Sequence, residues 1–342
     1  MPTRTRLSPG ALAVALLVLL AAVAVATLLG AAELGWTRVL REVWAQLTGG
    51  VSPLSEREAA IVWQVRLPRV LLGALVGAAL AGAGAAYQGV FGNPLADPYL
   101  LGAAAGAGLG ATLVVVLAPT TTGWVVGPLP LAAFAGALGG VGLTWALSRA
   151  AGGGTAVLLL AGVAVAAFLT AVQTSVQQLD TDTVRQVYTW MLGGLNASGW
   201  REVLLVLPYL VVAGLVLCLC ARLLDVLALG DEEAASLGVR PGRVRLVVLL
   251  AASLATAAAV AVSGLIGFVG LVVPHLVRLL AGSGNRVVVP LSFIGGAVFL
   301  VVADQVARTV VAPAELPLGV ITAFTGAPFF AFVLRAQRGR VR

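Results

Sequence analysis

Asp225–Arg245, DVLALGDEEAASLGVRPGRVR, is the stretch on which the reading of this chain turns. It is the most polar island in the C-terminal half of a 342-residue chain that is 60% hydrophobic. Apolar runs of membrane-spanning length flank it, Val203–Ala221 before and Leu246–Val262 after. Inside it, Asp231, Glu232 and Glu233 open a helical pattern, Ala234, Ala235 and Leu237 give it an apolar side, and Gly238 closes it. Acids in the first turn and a glycine just past the end suit the helix dipole and its caps. A short capped helix held at the water edge between two spans reads as a docking surface or as a solvated loop with one helical turn. The rest of the chain decides between them.

A mean hydropathy of +1.04 with only 10% charged residues places the chain in the membrane class. At about 20 residues per span, its length holds roughly ten helices. We expect an all-α integral membrane protein with spans near 11–32, 68–87, 99–117, 129–147, 156–176, 202–222, 246–263, 266–280, 287–307 and 318–334. Segment 225–245 then lies between the sixth and seventh. Arg4 and Arg6 precede the uncharged run Ala11–Ala32, which reads as an uncleaved first helix starting in the cytoplasm. Ten spans put both termini on one side. Thirteen arginines, including those of 225–245, fall on that side and eight on the other, so the positive-inside rule makes it cytoplasmic.

All 21 basic residues are arginine. Without a lysine there is no G-x-x-x-x-G-K-[ST] phosphate loop and no Schiff-base chemistry. The net charge of +7 is no nucleic-acid signal, because the arginines sit singly in loops. The single histidine, His275, excludes an HExxH zinc site and leaves a Ser-His-Asp triad without support. Beside Pro274 in an apolar span, it reads as a packed helix residue. Cys218 and Cys220, two apart in one helix, point to different faces and read as apolar fillers.

Two connections carry structure of their own. The mixed-charge segment Glu33–Arg66 holds Trp36, Trp44 and Trp63, and its pattern predicts an amphipathic surface helix around Trp36–Leu47. Tyr188–Leu195, too short to cross, predicts an interfacial or re-entrant helix. Glycines four apart, at Gly73 and Gly77, at Gly102, Gly106 and Gly110, and at Gly136 and Gly140, predict close backbone packing in lipid. The spans are almost free of ionisable residues. Asp304 is the exception, and its spacing from Arg308 predicts a local pair near the outer end of the ninth span. An ion-coupled carrier keeps such groups at mid-membrane. This chain has a path without its own energy source, which directs attention back to the cytoplasmic helix.

Four stretches carry a family resemblance: Val65–Gly102, Leu229–Val239 (LGDEEAASLGV), Gly267–Arg278 (GFVGLVVPHLVR) and Ala314–Phe330 (AELPLGVITAFTGAPFF). In order and length they resemble the FecCD-type permeases of ABC importers for iron-siderophores, haem and cobalamin. The resemblance implies a type II importer architecture in a prokaryotic plasma membrane, with no resident cofactor. It implies two permease copies forming a homodimer around a central path, two cytoplasmic ABC ATPases, an extracytoplasmic substrate-binding protein and a metal-chelate substrate. It makes Asp231, Glu232, Glu233, Ala234, Ala235, Leu237 and Gly238 the ATPase-coupling helix. Asn93, Leu95 and Thr155 match the cytoplasmic gate, although Ala156 and a glycine run stand where relatives often carry another polar residue. Arg66, Arg69 and Arg308 match outer-surface arginines that meet acidic residues of the binding protein. A ferric siderophore is the expected cargo, with cobalamin and haem as alternatives. The rival classes are an ATP-independent carrier, which needs intramembrane charges, and a membrane enzyme, which needs a nucleophile or metal set.

Overall fold

Prolines and small capping residues set where the helices begin. The computed structural model describes residues 7–30, 32–117, 127–178, 181–196 and 199–338. Pro9 lies in the first turn of α1 (Pro9–Leu28), and the Ser8 hydroxyl accepts the Ala11 N–H at 3.2 Å. A left-handed Gly35 (φ 76°) leads into α2 (Trp36–Thr48), at the place its pattern predicts. α3 (Glu56–Ala60) opens with a reciprocal Ser55/Glu58 capping box. It runs through a π-helical segment, Ile61–Arg66, into α4 (Leu67–Phe91), so that Glu56–Phe91 forms one helical rod of 36 residues. Pro68 lies in the first turn of α4, which the π-helical segment joins without a break to α3. The π turns just before it give the backbone room for a ring without an N–H.

After α4 the chain turns at the left-handed Gly92 and forms a single 3-10 turn, Pro98–Leu101, capped by the Asp97 carboxylate on Tyr99 N–H at 2.8 Å. Then follow α5 (Ala103–Leu117), α6 (Pro128–Ala150), α7 (Thr155–Gln177), α8 (Thr181–Met191) and α9 (Trp200–Leu227). The chain closes with α10 (Asp231–Ser236), α11 (Pro241–Ser263), α12 (Val269–Ala281), α13 (Asn285–Thr309) and α14 (Leu318–Arg338). Among the described residues seven helices are long and apolar enough to cross a membrane, and α5, α12 and most of α14 are shorter apolar helices. The re-entrant segment expected at Tyr188–Leu195 is helical only to Met191. Beyond it the backbone stitches three elements together: Gly194 N–H bonds Ser263 O, Leu318 N–H bonds Gly193 O, and Gly319 N–H bonds Leu192 O.

α4 is the centre. It packs on α13, α11, α9 and α12, and its Leu72, Val76, Leu80 and Tyr87 are wholly enclosed. α5, α6 and α7 form a second packed group. The glycine spacings explain both. A Cβ on Gly106 would strike the carbonyl of Gly136, one on Gly110 that of Ala132, and one on Gly140 that of Gly102. Gly77 of α4 meets Gly296 of α13 in the same way. With no apolar driving force between helices in lipid, such close contact supplies the attraction. Several buried polar groups are paired inside the protein: Tyr87 with the Ser253 hydroxyl (2.8 Å), Thr144 with Leu101 O (2.9 Å), and Gln88 with Gly270 O (3.0 Å).

Candidate functional site

The helix α10 is short, so its orientation depends on its ties. Gly230 (φ 117°) and Gly238 (φ 81°) turn the chain in and out of it, conformations that L side chains rarely adopt. Asp231 accepts a two-point hydrogen bond from Arg245 of α11, both contacts at 2.7 Å. That fork holds the Asp231 carboxyl below its ordinary range. Ala234 is buried, against α9 and α11. Ala235 and Leu237 point outward, Leu237 64% exposed, with Leu229 at 61% beside them. The apolar side expected of Ala234, Ala235 and Leu237 is thus divided: one residue seats the helix and two are presented to water. Glu232 and Glu233 are exposed on the same helix.

Thr155 is the first residue of α7, following Gly152, Gly153 and Gly154, all with positive φ. It lines a cavity of about 190 Å³ with Val90 and Phe91 from the end of α4, Arg149 of α6 and Arg245 of α11. The Arg149 guanidinium lies 4.8 Å over the Trp145 ring. Asn93 and Leu95 lie on the exposed loop beyond α4, outside that lining. The Asn93 side chain accepts Leu95 N–H at 2.9 Å, and Leu95 itself is 53% exposed. The fold therefore brings Thr155 to the end of α4 but leaves Asn93 and Leu95 free to meet something outside this chain.

Sequence reasoning missed a large apolar cavity. About 590 Å³ opens between the end of α8, the start of α12 and α14, lined by Met191, Leu192, Leu265, Phe268, Phe324 and Ala327 among others. Phe268 adopts a left-handed backbone (φ 68°), and its ring lies where a Cβ on Gly326 would be. The signal was present in the glycines of Ala314–Phe330, but only tertiary contact gives it meaning. No lining residue is charged. Nearby, His275 packs on the rings of Phe329 and Phe330 at 5.8 and 6.2 Å. Among the described residues no three His, Cys, Asp or Glu side chains converge as a metal site requires.

At the other end of the bundle the three outer arginines do come together, with one correction. The expectation was exposed guanidinium groups; Arg66 and Arg308 are only 4% and 5% exposed. Arg66 donates to the carbonyls of Thr27 and Ala32, each at 3.0 Å, closing the negative end of α1. Arg69 forks onto Asp304 (2.9 Å) and Glu315 (3.0 Å). Arg308 Nε lies 2.9 Å from Asp304 Oδ2, the pair expected from spacing, and Arg308 also donates to Gln305 at 2.7 Å. Guanidinium groups at helix ends in a low dielectric are too costly to leave unpaired, which draws them inward. Glu315, with a third of its side chain exposed, is the member nearest water.

The model of the FecCD transport family matches residues 16–336. The cobalamin import system permease protein of Halobacterium salinarum is 45% identical over 286 residues, covering 83% of this chain and 76% of its own. The hemin transport system permease protein of Yersinia pestis is 42% identical over 285 residues, 81% of this chain and 84% of that one. A solved structure described as an inward-facing conformation of a metal-chelate type ABC transporter superposes with a TM-score of 0.82 at 28% identity, covering 96% of this chain and all of that chain. A family model matched over nearly the whole length, with relatives 42% and 45% identical, shows that the chain belongs to the FecCD transport family.

Proposed function

We propose that the chain is the membrane-spanning permease subunit of an ATP-driven importer that carries a metal chelate into a prokaryotic cell. The observation that carries the coupling is α10: a helix pinned by Asp231 and Arg245, with Ala235 and Leu237 turned outward, in a chain that lacks any lysine. Two ABC ATPases seat this helix, one on each permease copy. The cargo path is the uncharged cavity beside α14. The exposed apolar residues Leu160 and Phe168 of α7 and Phe324 and Phe332 of α14 support a second copy of this chain across it. Asn93, Leu95 and Thr155 narrow its cytoplasmic mouth. An extracytoplasmic binding protein delivers the cargo at the rim formed by Arg69 and Glu315, with Arg66 and Arg308 bracing that rim from beneath.

A ferric siderophore is the cargo that family frequency favours. Cobalamin is the second reading, favoured by the 45% identity to the cobalamin-named relative. Reconstitution in vesicles with the cognate ATPase and binding protein tests both, with ferric siderophore, cobalamin and haem as separate arms. Uptake should require ATP and all three components, and Ala235→Arg should release the ATPase while leaving the permease folded. Uptake by the isolated chain along an ion gradient would replace this reading with a secondary carrier.

A further inference from the structure

α2 presents an apolar face away from the protein. Trp36, Leu40, Val43, Trp44 and Leu47 fall within an arc of about 100° at 3.6 residues per turn. Four of them are more than half exposed: Trp36 59%, Leu40 51%, Trp44 69% and Leu47 77%. The opposite side is the one the protein holds. Val39, Glu42 and Ala45 are buried there, and Glu42, 2% exposed, accepts the Trp63 indole N–H at 3.0 Å and the Ser52 hydroxyl. Arg38 forks onto Glu58 of α3, both contacts at 2.9 Å. These ties fix the rotation of the helix, so the outward stripe is imposed by the fold. Thr37, Arg41 and Thr48 form an exposed polar arc to one side of it.

We propose that α2 lies in the extracytoplasmic membrane–water interface, with this stripe sunk among phospholipid acyl chains. An apolar stripe of this width beside a narrow basic-polar arc is the pattern of an in-plane interfacial helix. Its two tryptophans favour the headgroup level. The surface also continues one already in lipid: α1, whose Val25 and Leu29 are about half exposed, ends only a few residues before α2 begins. Lipid is therefore the occupant. A binding protein resting on the stripe is the competing outcome.

The test uses the full permease with Cys218→Ala and Cys220→Ala, in vesicles of phosphatidylethanolamine and phosphatidylglycerol. Single spin labels are placed at Leu40→Cys, Leu47→Cys, Thr37→Cys and Arg41→Cys. Labels at 40 and 47 should collide several-fold more with oxygen than with a water-soluble nickel chelate, and labels at 37 and 41 should show the reverse. Equal nickel access at all four positions would overturn the proposal. So would labels at 40 and 47 that are shielded from both agents once the binding protein is added. A label-free arm covers poor yield: lipids brominated near the headgroup should quench less tryptophan emission in Trp36→Phe/Trp44→Phe than in the parent. Equal quenching in the two proteins would also reject the lipid seat.

Discussion

Asp304→Ala is the perturbation that probes the outer network most directly. Asp304 is 2% exposed and faces two guanidinium groups, Arg69 Nη2 and Arg308 Nε, each at 2.9 Å. Removing one partner of a buried pair costs about 3–5 kcal/mol, because a buried charge is left without compensation. Arg69 keeps Glu315, so the loss here belongs at the lower end, about 3 kcal/mol. At roughly 2–4 °C per kcal/mol for a large domain, the unfolding midpoint in detergent should fall by about 6–12 °C. Arg308→Met alone should also destabilise, since it strands the second Asp304 oxygen. The double variant Asp304→Ala/Arg308→Met should recover part of the loss, with a coupling of about 1–3 kcal/mol between the two positions. A drop under about 0.5 kcal/mol for Asp304→Ala, the range of ordinary surface changes, would refute the reasoning. Strict additivity in the double variant would refute it too.

Gly106→Val should reduce folded yield or cost about 1–3 kcal/mol, the usual range of overpacking, because its new carbons meet the Gly136 carbonyl; Gly139→Ala, which has open space, serves as the neutral control in the same thermal assay. Asp97, on the loop between α4 and the 3-10 turn, has its carboxyl pushed up to about 6 by burial, against the pull of the Tyr99 N–H bond. Its contribution to stability is complete below 3.8 and lost as pH rises through about 6, and Asp97→Asn should flatten that slope in unfolding midpoints measured across the interval. Glu58 behaves oppositely: the Arg38 side chain, with help from Ser55, holds it down to about 2, so the α2–α3 tie is intact above 4.5 and released only as pH falls toward 2. A spin label at Gln46→Cys should gain mobility over that acid range, and Arg38→Gln, which removes the tie itself, should raise its mobility at every pH and abolish the acid step.

What the sequence revealed follows the range of the interactions involved. α10 was readable because its acids, its alanines and Gly238 lie within eight residues and act locally. The α5–α6 contact was readable because a four-residue glycine period has one meaning in lipid, whichever helix receives it. The gathering of Arg66, Arg69 and Arg308 was legible by side and position, but their burial was not. Arg69 finds Glu315 across 246 residues of chain, a pairing that exists only after α4 and α13 have packed. The Phe268–Gly326 contact, and with it the apolar cavity beside α14, was hidden for the same reason. The continuation of α4 back to Glu56 was not legible, because Pro68 usually marks a first turn and a π-helical segment leaves little trace in composition.

α1 has a separate fate written into its packing. Over its apolar window only 11% of residues are buried, against 83% for the rod containing α4. Its seat is a small patch, Ala22, Val23 and Ala26 on Val70, Ala74 and Val301, closed by the Arg66 guanidinium over its last carbonyls. Val301 belongs to α13, some 270 residues further along the chain than the end of α1. During biogenesis the first helix can therefore meet Arg66, Val70 and Ala74 early, but its seat is completed only when α13 arrives. Under a mechanical load applied at the N-terminus it is also the first to part, peeling away while the glycine-welded interior stays whole.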